Sequence, residues 1–334
     1  MHPILFNLPV WLAAALAGGV LGASLADNAK RKVWTILAGL GAAALAGAVA
    51  AHAYGGKALP VHSYGVMILL GFLCGVWLPA RRARLIGAEP RHVMDVGVGG
   101  VVLGLLGARL FYVIMTWSQF NPFQPAGFDF SRVLDMFKLW QGGLVFFGAF
   151  LVVLPWAWLY SRWHKIRPLV FLDLLVPGLA AGLAFGRIGC FLNGCCYGSA
   201  CNLPWAVTFP IDSPAYKAQA LLGQLPAGAA HSLPVHPAQL YSSISAALIA
   251  GFLYALWPRR RFDGQVTSIM MIMVGLVRFF EEMLRNDDVA AFPNFAPTLT
   301  IAQWVAIGLI ALGLGLLATF YKFQRRANKL ANGK

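Results

Sequence analysis

The chain has 334 residues, of which 59% are apolar and 11% charged, and its mean hydropathy is +0.69. These values exclude an ordinary soluble domain and point to a bilayer. The formal charge of +14 comes from short basic clusters between apolar stretches, without one long tract, which argues for membrane orientation and against a nucleic-acid partner.

A membrane-crossing helix needs roughly 20 mostly apolar residues. Apolar runs between breakers predict nine such helices, at about 4–26, 34–54, 62–80, 93–115, 142–161, 169–191, 238–257, 265–284 and 299–321. The opening MHPILFNLPVW has no positive n-region and its basic residues follow the apolar stretch, so it reads as a span and not as a cleaved signal. The fold class expected is an all-α polytopic membrane protein.

Eighteen of the 26 basic residues fall in alternate connections: Lys30 to Lys32, Arg81 to Arg91, Arg162 to Arg167, Arg259 to Arg261 and Lys322 to Lys334. The opposite loops hold only Lys57, Arg132, Lys138, Lys217 and Arg285. By the positive-inside rule the N-terminus lies outside and the C-terminus in the cytoplasm. Three arginines remain, Arg109, Arg187 and Arg278, each in the outer half of a span running outward. A central arginine costs about 2.5 to 3.5 kcal/mol on the insertion scale, so three of them imply partners, a wet cavity or a bound anion.

In chain order, the first element that carries chemistry is VHSYG at 61–65, with His62 and Tyr64 at the outer start of the third span. Arg109 follows in the fourth span, and then a long outer loop at 116–141, rich in Trp, Phe and Pro. The segment FGRIGCFLNGCCYG at 185–198 ends the sixth span with Arg187, Asn193 and Gly198. Its glycines admit a ligand close to the backbone or pack against a neighbouring helix, and its arginine offers a planar fork of donors suited to phosphate. A second long outer loop, 192–237, leads to VHPAQLYSS at 235–243, with His236, Gln239 and Tyr241. Interfacial His and Tyr residues commonly serve as belt anchors, but two such pairs at one depth favour a site. Within VGLVRFFEEMLRNDD at 274–288, Arg278, Glu282 and Arg285 fall on one helical stripe, and Glu282 is spaced to pair with Arg278. Asp95 and Asp173 lie nearer the cytoplasmic side and read as structural or pairing residues.

Four of the five cysteines, Cys190, Cys195, Cys196 and Cys201, gather at the outer end of the sixth span. Their spacing is not the paired CxxC form of zinc sites and no nearby histidine completes it, so neither a metal nor a cofactor is expected. A disulfide among Cys195, Cys196 and Cys201 and plain buried thiols are both open readings.

HSYG, GARLFY, LWQGG, GRIGCFLNGCCYG, LPVHPAQLY and GLVRFFEEMLR, in that order, resemble the prolipoprotein diacylglyceryl transferase family. The resemblance covers about residues 60–322, a seven-helix core preceded by two additional spans in 1–59 and followed by a basic tail at 323–334. It implies transfer of a diacylglyceryl group from phosphatidylglycerol to the lipobox cysteine of a prolipoprotein, at the periplasmic face of a bacterial inner membrane. By that likeness Arg187, Arg278, His62, Tyr64, His236 and Tyr241 act in catalysis. Arg187, Arg278, Asn193, Gly198, Arg109, Glu282 and Arg285 are expected to hold the lipid donor. The chain departs from the family pattern at Phe147, where many members have His, and at Cys190, Cys195, Ser242 and Val274. Two other readings are a paralogue that binds lipid or lipoprotein without turnover, and a membrane transporter.

Overall fold

The computed structural model describes residues 4–8, 59–124, 127–138, 143, 145–226, 228–285, 290–292 and 296–332. Seven long helices dominate it: α1 (Ser63–Ala83), α2 (Pro90–Met115), α4 (Phe146–Trp163), α5 (Pro168–Asn193), α7 (Ala238–Leu256), α8 (Gln265–Glu282) and α9 (Ile301–Asn332). Besides a single turn at Trp117–Phe120, two shorter ones, α3 (Phe130–Met136) and α6 (Pro214–Leu221), belong to the long loops. Among the described residues, five helices are long and apolar enough to cross a membrane, those beginning at Ser63, Pro90, Pro168, Ala238 and Ile301. Their outer faces carry exposed Leu69, Leu110 and Leu248, as a lipid-facing surface requires.

The helix boundaries follow local chemistry. Pro90 and Pro168 open α2 and α5, where a missing N–H costs nothing. Gly87 takes a left-handed conformation, φ 72°, that stops the short 3-10 turn after α1. Pro79, Pro155 and Pro177 sit inside helices, a placement tolerated in a packed membrane bundle.

The chain divides into two compact units. The larger comprises Leu70–Arg187, Tyr197–Ala206 and Val235–Lys334. Its core joins Val93, Val96, Phe171, Leu174, Ala180, Leu253 and Val266. Small residues let the backbones approach: a Cβ built on Gly107 would stand 2.6 Å from the Gly148 carbonyl, so α2 and α4 cross where neither has a side chain. Gly71 and Gly75 of α1 meet Gly182 and Gly178 of α5 in the same way. Toward one end of this bundle, Asp173 of α5 is fully buried and accepts three hydrogen bonds, from the N–H groups of Gly264 and Thr267 and from Thr267 Oγ1, each at 2.8 Å. Gly264, the residue before α8, has no side chain to cap that helix, and Asp173 does so from another helix. Asp95 accepts from the Tyr160 hydroxyl at 2.6 Å.

The smaller unit comprises Met1–Leu69, Ile188–Cys196 and Val207–Pro234. Here the structure corrects the sequence reading. Ile4–Leu8, expected to begin a helix at 4–26, forms strand β1, antiparallel to β2 (Leu59–His62). Pro9 forces the preceding Leu8 toward extended backbone, and Pro3 flanks the other side of a segment that includes the strand formers Ile4 and Phe6. The remainder of that span and the whole of 34–54 lie outside the described residues. Two further ribbons, β3–β4 (Phe123–Gln124 with Gly127–Phe128) and β5–β6 (Ala290–Phe292 with Ala296–Thr300), are also strand exceptions to the all-α expectation. At the other end, α9 runs on to Asn332, so the basic tail is helical well past the expected limit at 321.

Candidate active site

Helix α8 supplies the first part of the site. Arg278 Nη2 lies 2.6 Å from Glu282 Oε2, one turn further on, with side chains 33% and 1% exposed respectively. Thr300 Oγ1 donates to the other carboxylate oxygen at 3.3 Å. The acid is thus buried and held, while the guanidinium keeps a third of its surface open. Arg285, half-buried, follows on the turn where its N–H bonds the Glu282 carbonyl.

Helix α5 supplies Arg187 near its C-terminal end. Its side chain is half-buried, and among the described residues no hydrogen bond or ion pair engages its guanidinium. Ser243 Oγ donates to the Ala184 carbonyl at 3.0 Å, fastening α7 to α5 one turn before this arginine.

The segment after the signature ties α7 and α8 to each other. Gly198 N–H bonds the His236 carbonyl at 2.9 Å, His236 N–H bonds Ser199 at 3.0 Å, and Ser199 N–H bonds Leu284 at 2.8 Å. Gly198 is required by this closeness, because a Cβ there would stand 2.7 Å from the His236 Cβ and 2.8 Å from the Leu284 carbonyl. Three motifs far apart in sequence therefore meet in the larger unit: the end of the glycine-rich signature, the HPAQLY element and the end of α8. Within it His236 Nδ1 faces the Tyr241 hydroxyl at 3.5 Å, and Trp205 Nε1 donates to that hydroxyl at 2.8 Å. The sequence reading missed Trp205, for nothing in its loop spacing marks it as a partner of Tyr241. Gln239, in the first turn of α7, is fully buried.

Arg109, expected to contact the lipid phosphate, is engaged by backbone carbonyls of the outer loop. It is buried, and its Nε and Nη2 donate to the Met136 and Asp135 carbonyls, both at 2.8 Å, with Nη1 at 3.3 Å from Gly143 O. Those first two acceptors are the last carbonyls of α3, which have no partner inside their own helix. Tyr112 and Phe120 hold their rings 5.4 and 5.3 Å from the guanidinium. At the other end of α3, Ser131 donates twice to the Asp129 carboxylate and keeps it below its ordinary pKa. Arg109 is therefore the fastening of the 116–141 loop. Replacing it with Gln should remove charge-assisted bonds of about 1.5 to 3 kcal/mol each and speed limited proteolysis of that loop. Unchanged cleavage kinetics would contradict this assignment.

Of the remaining expected residues, His62, Tyr64 and Asn193 belong to the smaller unit and Phe147 to the larger. His62 ends β2, its backbone opposite Ile4. Tyr64, in the first turn of α1, is exposed, and Gly189 packs on it, a built Cβ lying 3.1 Å from its ring. Asn193 is the last residue of α5. Phe147 occupies the second position of α4.

Comparison with known proteins bears directly on this arrangement. The family model described as prolipoprotein diacylglyceryl transferase matches residues 50–319. A protein of Finegoldia magna named phosphatidylglycerol--prolipoprotein diacylglyceryl transferase is 30% identical over 262 residues, covering 78% of this chain and 91% of its own length. Proteins of the same name from Cupriavidus pinatubonensis and Nitratidesulfovibrio vulgaris strain DP4 are 31% and 33% identical, covering 81% and 76% of this chain and 91% and 88% of their own. With most of its length matched in this way, and the signature, HPAQLY and α8 elements joined in one unit, the chain belongs to the prolipoprotein diacylglyceryl transferase family.

Proposed function

We propose that this protein is an active transferase that moves the diacylglyceryl group of phosphatidylglycerol onto the lipobox cysteine of prolipoproteins, the first step of lipoprotein maturation. The relatives it resembles carry that activity in their names. The observation that carries the reading for this chain is Arg187, a half-buried cation on a membrane helix that no protein group neutralises among the described residues. A cation so placed is costly unless an anion visits it, and an anionic lipid headgroup is the anion a bilayer provides.

In the reaction the acceptor sulfur attacks the glyceryl carbon that bears the phosphate ester. A carbon–sulfur bond forms, the carbon–oxygen bond breaks, and the electron pair departs on the oxygen of glycerol phosphate. Arg187 and the open face of Arg278 hold the phosphate and stabilise the charge that grows on the leaving oxygen. Glu282 fixes the orientation of Arg278. The thiol must give up its proton to become nucleophilic. His236, backed by Tyr241 and Trp205, is the best supported acceptor of that proton, with His62 and Tyr64 as the other candidates. The charge pattern supports an outer N-terminus, a cytoplasmic C-terminus and a site facing the periplasm of a bacterial inner membrane.

The test is direct. Purified protein mixed with phosphatidylglycerol and a lipobox peptide should add the mass of one diacylglyceryl group to the peptide cysteine. A peptide with serine in place of that cysteine should gain nothing. A wild-type protein that binds the lipid but yields no adduct would establish the reading suggested by Phe147, a binder without turnover.

A further inference from the structure

The smaller unit holds a cluster that the transfer reaction does not use. Cys190, Cys195 and Cys196 bring their sulfur atoms within 4.8 Å of one another, all three half-buried. The linear spacing, one cysteine and then two adjacent ones after four residues, argued against a metal. The backbone explains how the sulfurs meet. Asn193 ends α5 and Gly194 turns left-handed at φ 74°. Gly194 N–H then bonds Phe191 O and Cys195 N–H bonds Cys190 O, each at 3.1 Å. That is the Schellman arrangement, which sets the residue two past the cap against the third residue from the helix end. In this chain those two residues are Cys195 and Cys190. Cys196 then takes φ 60°, a conformation costing a non-glycine residue about 1 to 2 kcal/mol, and adds the third sulfur.

From this geometry we infer a binding site for one thiophilic d10 divalent cation, of the Zn²⁺ or Cd²⁺ type, ligated by Cys190, Cys195 and Cys196. Three thiolates around such an ion at about 2.3 Å stand roughly 3.8 Å apart, so the sulfurs need close by only about 1 Å. Soft sulfur donors without carboxylate select this class over Mg²⁺ or Ca²⁺. Binding exchanges three thiol protons for the ion, which leaves a fourth coordination position for water. The ion would staple the turn on which the following loop rests, since Ala215 N–H bonds Gly194 O at 3.1 Å and the Gly194 backbone packs on Phe209 and Ser213.

The experiment uses the full-length protein, purified under reducing conditions, with Cd²⁺ alone as the probe. One ion per chain should bind, with the ultraviolet thiolate-to-metal charge-transfer band and release of protons. C190S, C195S and C196S should each weaken binding by more than about tenfold, whereas C74S and C201S should bind as the wild type does. Matched elution on gel filtration shows that each variant is folded. The absence of the band in the reduced wild type, its survival in C195S, or peptide mapping that finds two of the three thiols joined as a disulfide in the protein as isolated would each overturn the site. None of these readouts involves lipid or turnover, so the result is independent of the transferase assay.

Discussion

Replacing Arg187 with alanine is expected to slow thioether formation by at least about 100-fold while leaving the protein folded. Removing one preorganised donor from a developing anion costs about 10² to 10³ in rate, or roughly 2.7 to 4 kcal/mol. The fold, by contrast, should be indifferent, because no described group depends on this guanidinium. Arg278 lacks that independence, since its removal takes from Glu282, 1% exposed, the guanidinium paired with it and so destabilises the end of α8. Initial rates of peptide mass gain and a thermal melt in detergent separate the two effects. Arg187→Lys should recover part of the rate, since it keeps the charge but loses the planar fork. An R187A rate within about threefold of wild type would dismiss this arginine from the chemistry.

Asp173→Ala is expected to cause the largest loss of stability, about 3 to 5 kcal/mol. The carboxyl is fully buried and satisfies two backbone N–H groups and one hydroxyl. Each buried donor left without a partner costs about 1 to 3 kcal/mol, and the hydroxyl recovers some of this by rotating. The N-terminus of α8 also loses the negative group opposite its dipole. Because α8 carries Arg278 and Glu282 towards its far end, transfer should fall together with the melting temperature, which is expected to drop by roughly 10 °C. Asp173→Asn keeps an acceptor and should lose less. A D173A melt that matches the wild type would refute the capping role.

The long helices were legible because apolar length, breaker residues and charge asymmetry are local properties. Pro90, Pro168 and Gly264 mark the starts of α2, α5 and α8 in plain sequence. The order of the motifs was equally plain, and so was the Arg278–Glu282 pair, which a four-residue spacing foretells. Partners fixed by the path of a loop were not. The carbonyls that hold Arg109 come from residues 26 to 34 positions later, and carbonyls leave no mark in a sequence. Trp205 reaches Tyr241 across 36 residues for the same reason. The cysteine cluster was hidden by a left-handed turn, which converts an unpromising spacing into proximity. Ile4–Leu8 was read as helix because its apolarity was counted and its flanking prolines were not.

The extent of α9 has a consequence for its final turns. Thirty-two residues at 1.5 Å per residue make a rod about 48 Å long. The hydrocarbon slab is about 30 Å thick, and even leaning at about 40°, the steep limit for such helices, the rod rises about 37 Å. One end must therefore jut into the headgroup zone, and the end holding Lys322, Arg325, Arg326 and Lys329 is the one the slab rejects. Anionic lipid phosphates at that depth would meet a helical turn bearing Lys322 and Arg325 in place of a loose strand.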